Sequence, residues 1–308
     1  MGSGRWDSSA WDLYSTAHVA GKTTDKIYTS RSMKKEMDPL DVTIRESRDS
    51  DVNPMSNAII VAQDVTGSMN SVLDAMVRKG LPTLATELYA RKPVSDPHIM
   101  FMGVGDVQYD EAPLQVTQFE ADIRIAEQLK TIWLEGHGGG NNFESYHLPW
   151  YFAGMYTSID CFEKRGKKGY LFTVGDEFPP TAGFSSRDLK KVFSDVPGED
   201  MTLESTLDLA NKMYNVYHVI VEEGNCARSR KREVFEAWTK VLGQNVIRLS
   251  DHTKLAEVIV SMIQANEGVS KETIVKSWDG STSIVVDRAL ADHAVAKASS
   301  TSGIVDFS

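Results

Sequence analysis

Asp64, Thr66 and Ser68 stand at alternate positions directly behind an apolar run, in the stretch NAIIVAQDVTGSM over residues 57–69. Ala58, Ile59, Ile60, Val61 and Ala62 read as a buried strand, and Ser68 is a good residue to open a helix. The turn between them gathers one carboxylate and two hydroxyls at the carboxyl end of a strand, where open α/β sheets place their ligands. All three side chains offer oxygen, the donor that hard divalent cations prefer, and oxygen suits Mg²⁺, Mn²⁺ and Ca²⁺ alike. Further acids follow later strands, in GVGD at 103–106 and TVGDE at 173–177. A glycine-rich loop, GHGGGNN at 136–142, adds amide oxygens.

Alternating elements must position these groups. Strands are expected over 58–64, 98–105, 170–175, 216–221 and 246–249, with 114–119 (LQVTQF) alternating as an edge strand does. Between them the apolar spacing predicts helices over 68–91, 123–134, 144–158, 187–194, 203–213, 230–242 and 253–266, the first broken or kinked where Gly80 and Pro82 interrupt it. Strands alternating with helices of this length mean a doubly wound, mostly parallel sheet with one antiparallel edge strand and helices on both faces. The domain is expected over 57–268. Residues 1–56 form a polar arm with single aromatics that anchor it to its own domain and a short helix near 9–19. Residues 269–308 form an appendage with a small strand-like patch, SIVVD.

The 308 residues are 41% apolar and 25% charged, an ordinary composition for a soluble globular protein. A net charge of −10 argues against general nucleic-acid binding, and RSRKR at 228–232 is the one dense basic run, read as the solvated start of a helix. Cys161 and Cys226 lack metal or redox spacing and read as reduced and buried, which fits a cytoplasmic protein. No apolar segment is long enough to span a bilayer, and the first residues make no secretory signal.

The order of strand, Asp64-x-Thr66-x-Ser68, long helix, glycine loop, and strand ending near an acid resembles a von Willebrand factor A (VWA) domain. That resemblance covers about 57–268 and implies a metal-ion-dependent adhesion site. Such a site is built from a D-x-S/T-x-S motif, a threonine in a later loop, and an aspartate after a further strand. Asp64, Thr66 and Ser68 match the motif. At the threonine position the count from Leu148 puts Asn142, with Asn141, Glu144 and Ser145 near enough to take over. Where the family has T-D-G-E, this chain has Thr173-Val174-Gly175-Asp176-Glu177, so Asp176 is the expected ligand, Glu177 the fallback, and Asp106 an adjacent carboxylate or a turn cap.

The resemblance implies a non-enzymatic, metal-dependent protein-binding module in which the cation accepts an acidic side chain of a partner protein. An AAA+ ATPase of the MoxR kind is a partner suggested by the fold. The segments GKTTDKIYTSRS and RESRDSDVNP, with DVTGSM, are also similar to uncharacterised phage and bacterial A-domain proteins. The alternative is an assembly or virion protein with a degenerate metal site. A Mg²⁺-dependent hydrolase ranks third, because no P-loop, G-x-S-x-G elbow or H-E-x-x-H pair is present and His137 alone lies near the site. Sequence does not give the oligomeric state.

Overall fold

The computed structural model describes residues 4–136, 143–291 and 293. Eight strands occur among them: β1 (Arg45–Ser47), β2 (Ser56–Asp64), β3 (Asp96–Val104), β4 (Leu114–Val116), β5 (Thr157–Ile159), β6 (Gly169–Gly175), β7 (Tyr214–Val221) and β8 (Val246–Leu249). Six build the main sheet in the order β4-β3-β2-β6-β7-β8, all parallel except the β3–β4 edge pair. Strand order reverses beside β2, so the chain leaves the sheet in opposite directions from β2 and β6. That crevice is the topological switch point of a doubly wound sheet.

The period of two along β2 shows why both faces are covered. Ile59 and Val61 face one apolar cluster, with the helices Leu81–Arg91 and Leu255–Asn266. Ala58, Ile60 and Ala62 face the other, with the helices His147–Met155 and Lys231–Leu242. The arm's aromatics dock on the first face. Trp11 and Tyr14, on the helix Ser8–His18, are buried there, the Tyr14 hydroxyl donates to Ala126 O at 3.0 Å, and the Tyr28 hydroxyl donates to Leu73 O at 3.2 Å.

Several elements depart from the sequence reading for identifiable reasons. The long helix after β2 is not simply broken: it runs as Asn70–Ala75, a π-turn over Met76–Gly80, and Leu81–Arg91. Pro82 lacks the amide that an α-turn would use, and the wider turn ahead of it absorbs the defect. The helix expected over 123–134 is only Arg124–Leu129, because Trp133 leaves it to exchange hydrogen bonds with the Gln115 side chain on the sheet edge. The expected strand SIVVD is helical, within Gly280–Ala289. Thr282, Val285, Val286 and Ala289 form its buried stripe while Ile284 is 71% exposed, a helical spacing that overrides β-branched propensity. A two-stranded parallel sheet of β1 and β5 was not expected; its strands have three residues each and no apolar run. No helix among the described residues is long and apolar enough to cross a membrane.

Candidate metal centre

Asp64 is the last residue of β2 and is wholly buried. Its Oδ1 accepts from the Thr66 amide at 2.8 Å and from the Thr66 hydroxyl at 2.6 Å. The alternate spacing thus folds back on itself: the turn holds the carboxylate in one rotamer and places the hydroxyl against it. Asp64 Oδ2 accepts from the Tyr146 hydroxyl at 3.2 Å. Ser68 follows in the 3-10 turn Gly67–Met69, so its backbone lies at the mouth of the same turn. Asn142, with Asn141 and His137, lies outside the described residues.

Asp176 comes one residue past β6, the neighbour of β2 across the switch point. It is buried, and its Oδ2 accepts from the Cys226 amide at 2.9 Å. Gly224 makes that approach possible, since a Cβ there would collide with the Asp176 side chain. A Cβ at Gly175 would likewise collide with the Tyr146 hydroxyl. Cys226 is only partly buried, against the expectation for both cysteines, because it sits on this rim; Cys161 is buried and both are free thiols.

Three more acids close on the crevice. Glu144 is buried, Glu177 is half-buried, and each keeps a buried Oε2 without a hydrogen-bond partner among the described residues. Asp106, past the end of β3, caps its own turn by accepting from the Gln108 amide at 2.8 Å, and also lies within electrostatic reach of Glu144 and Glu177. The consequence is an accumulation of like charge. Burial pushes the Asp64 carboxyl up to about 7, with Asp176 adding to the rise and the Thr66 hydrogen bonds opposing it. Burial, then Asp64 and Asp176, push Glu177 up to about 8. Burial, then Asp64 and Glu177, push Glu144 up to about 11.

Tyr146, and Asp110 near Asp106, escaped sequence reading. Tyr146 looked like one more aromatic of a core helix, and nothing in its spacing distinguishes it. His98, His147 and His218 are buried away from solvent: His98 Nδ1 meets the Ser47 hydroxyl at 3.0 Å, His147 stacks on Phe184, and His218 stacks on Trp238. A separate trio, Glu223, Asp251 and His252, brings its donor atoms within 4.8 Å of one another. It is accounted for as a cap, since Glu223 Oε2 takes the His252 amide at 2.6 Å and Asp251 Oδ1 takes the Thr253 amide at 3.0 Å.

No protein-family model and no curated protein matches the chain. Among solved structures it is similar to the pilus adhesin SpaC from Lactobacillus rhamnosus GG in its open conformation. That match has 9% identity and a TM-score of 0.47, covering 75% of this chain and 31% of the adhesin. A von Willebrand factor type A protein from Catenulispora acidiphila matches at 15% identity and a TM-score of 0.36, over 70% of this chain and 43% of the other. The chain thus spans about a third of the adhesin (31%) and less than half of the A-domain protein (43%). Neither likeness is close enough to transfer a function. The strand order, the antiparallel edge and the switch point give this chain a doubly wound α/β fold of the VWA-like and Rossmann-like type.

Proposed function

We propose that the chain is a divalent-cation-dependent protein-binding module, with the cation seated at the switch point between β2 and β6. The observation that carries this reading is the buried carboxylate cluster: Asp176 raises the proton affinity of Asp64, Asp64 raises that of Glu144 and Glu177, and one oxygen each of Glu144 and Glu177 has no hydrogen-bond partner among the described residues. An all-oxygen donor set of this charge fits Mg²⁺, Mn²⁺ or Ca²⁺. Asp64, Thr66, Ser68 and Asp176 would hold the ion, with a loop oxygen from Asn142 or Glu144. When bound, the ion supplies the local positive charge that receives an Asp or Glu of a partner protein. The chain's own residues keep the donors in place: Thr66 and Tyr146 each hold one oxygen of Asp64, and the Cys226 amide orients Asp176.

Calorimetric titration with Mg²⁺ or Mn²⁺ tests the proposal. Binding heat that Asp64→Ala removes is the expected result, and no heat in the unaltered protein would overturn it. An AAA+ ATPase of the MoxR kind remains the partner that the resemblance motivates, checked by pull-down with and without EDTA. One observation favours the metal-free structural reading: with its carboxyl pushed up to about 11, Glu144 can stay protonated and neutral at pH 7 without an ion. The same titration separates the two.

A further inference from the structure

The edge of the sheet that carries the acids also carries the chain's basic run. Because β6, β7 and β8 are parallel and in register, Gly175 pairs with Ile220 and Ile220 with Arg248, so Asp176 and Arg248 emerge along the same rim. Buried Glu222, just past β7, is met there by three part-exposed cations: Lys231 at 2.7 Å, and Arg248 and Arg288 each at 2.8 Å. One carboxylate cannot neutralise three cations. Arg228 is exposed and bonds only neutral Asn225 Oδ1, at 3.3 Å, so among the described residues it has no carboxylate partner. Arg230 places its guanidinium 4.5 Å from the Phe178 ring, two residues beyond Asp176, while pairing with Glu233. Arg232 pairs with Glu236, and Glu223 is engaged by His252. Against the four cations Arg228, Lys231, Arg248 and Arg288 stand the acids Glu222, Glu223 and Asp251, which leaves one positive charge in excess with histidine counted as neutral. In a chain of net charge −10 this strip is a local gathering of cations beside the carboxylate centre.

We infer that the partner presents an extended acidic segment, one acid directed to the metal centre and further acids, about three or four residues on, lying along the cationic strip. The inference rests on the cation-site reading above. Two strand spacings of ~4.8 Å separate Asp176 from the end of β8. An extended chain covers that ~10 Å in about three residues at ~3.3 Å each. Charge complementarity of this kind sets orientation and register more than raw affinity. The carboxylate centre alone would not distinguish one acidic side chain from another; the strip supplies the second point of contact that does.

The test is fluorescence anisotropy with a short labelled peptide carrying one Asp followed three and four residues later by Glu. Its control has Gln at those two positions. In Mg²⁺ the acidic peptide is expected to bind about fivefold tighter than the Gln control, at two- to fivefold per exposed charge. That advantage should shrink as added salt shortens the screening length. Arg228→Glu should erase most of it, and the milder pair Arg228→Gln with Lys231→Gln should halve it or more, leaving Glu222 paired with Arg248 and Arg288. Binding that EDTA abolishes but neither variant changes would overturn the strip and leave the cation site standing. Binding that the variants weaken but EDTA does not would support the strip and overturn the cation site. Equal binding of the two peptides, no binding of either, or tighter metal-independent binding of an oligothymidylate probe would each overturn the inference.

Discussion

Replacing Asp64 by Asn should stabilise the metal-free protein, which is the opposite of what a buried, hydrogen-bonded carboxylate ordinarily does. The Asp64 carboxyl is raised from 3.8 to about 7, first by burial and then by Asp176. A carboxyl raised in the folded state contributes its full stability below the unfolded value near 3.8, and that contribution is lost as pH rises through about 7. At ~1.4 kcal/mol per pH unit, the ionised carboxylate costs about 4 kcal/mol at pH 8. Asn removes that cost while keeping an oxygen for the Thr66 amide and hydroxyl, both of which bond Asp64 Oδ1. Weakening two charge-assisted bonds offsets about 1 kcal/mol, leaving a gain on the order of 3 kcal/mol. For a chain of this size that is a rise of about 5–10 °C in Tm. Thermal unfolding in EDTA across a pH series is the assay: the variant should be no more stable than the parent near pH 4 and clearly more stable at pH 8. Adding Mg²⁺ should raise the Tm of the parent and leave the variant where it was. A variant that is destabilised equally at both ends of the pH series would show that Asp64 is no uncompensated buried charge, and the argument for a cation would go with it.

Three further outcomes follow from the same neighbourhood. Burial holds the His218 imidazole well below its usual 6.5, so it contributes stability above that value that is lost as pH falls below it, at ~1.4 kcal/mol per pH unit. His218→Leu should flatten the denaturant-measured pH slope between neutral and mildly acid pH by about that amount, and parallel slopes would contradict it. Tyr146→Phe deletes the bond to Asp64 Oδ2 with no change of ring; Mg²⁺ affinity by calorimetry should fall three- to tenfold, about 1 kcal/mol, while Tm moves little. Gly175→Ala drives a methyl into the Tyr146 hydroxyl and should cost about 1–3 kcal/mol by urea unfolding; adding Tyr146→Phe should recover part of the loss.

Where sequence reading succeeded, the information was local. The helix Leu203–Met213 and the strand Val246–Leu249 have the bounds that their apolar spacing implies, and the main sheet has its five parallel strands and antiparallel edge. Asp64 and Thr66 were legible because two residues and one turn make their contact. Failures came where a distant partner decides. The π-turn ahead of Pro82, the early end of the helix at Leu129 and the helical SIVVD each depend on what packs alongside. Glu144 and Glu177 were legible as acids, yet their burial and mutual repulsion are set by three strand ends meeting, which no spacing in the chain records.

The displaced acid after β6 has a physical explanation in this placement. In the order T-D-G-E the acid would stand at position 175, but here the Tyr146 hydroxyl fills the space a side chain at 175 would need. Tyr146 is there because its ring packs edge-on against His218 and Trp238, at 4.9 and 5.5 Å, and its hydroxyl reaches Asp64. Glycine at 175 is therefore a consequence of the tyrosine, and the carboxylate moves on to 176. There the Cys226 amide receives it, over the missing side chain of Gly224. Tyr146, Gly175, Asp176 and Gly224 form one interdependent set: the transposition preserves a carboxylate at the switch point while admitting a hydroxyl that orients Asp64. Two acids on adjacent strand ends are thus each held by a donor of its own, Asp64 by Tyr146 and Asp176 by the Cys226 amide, which is the arrangement the proposed cation site uses.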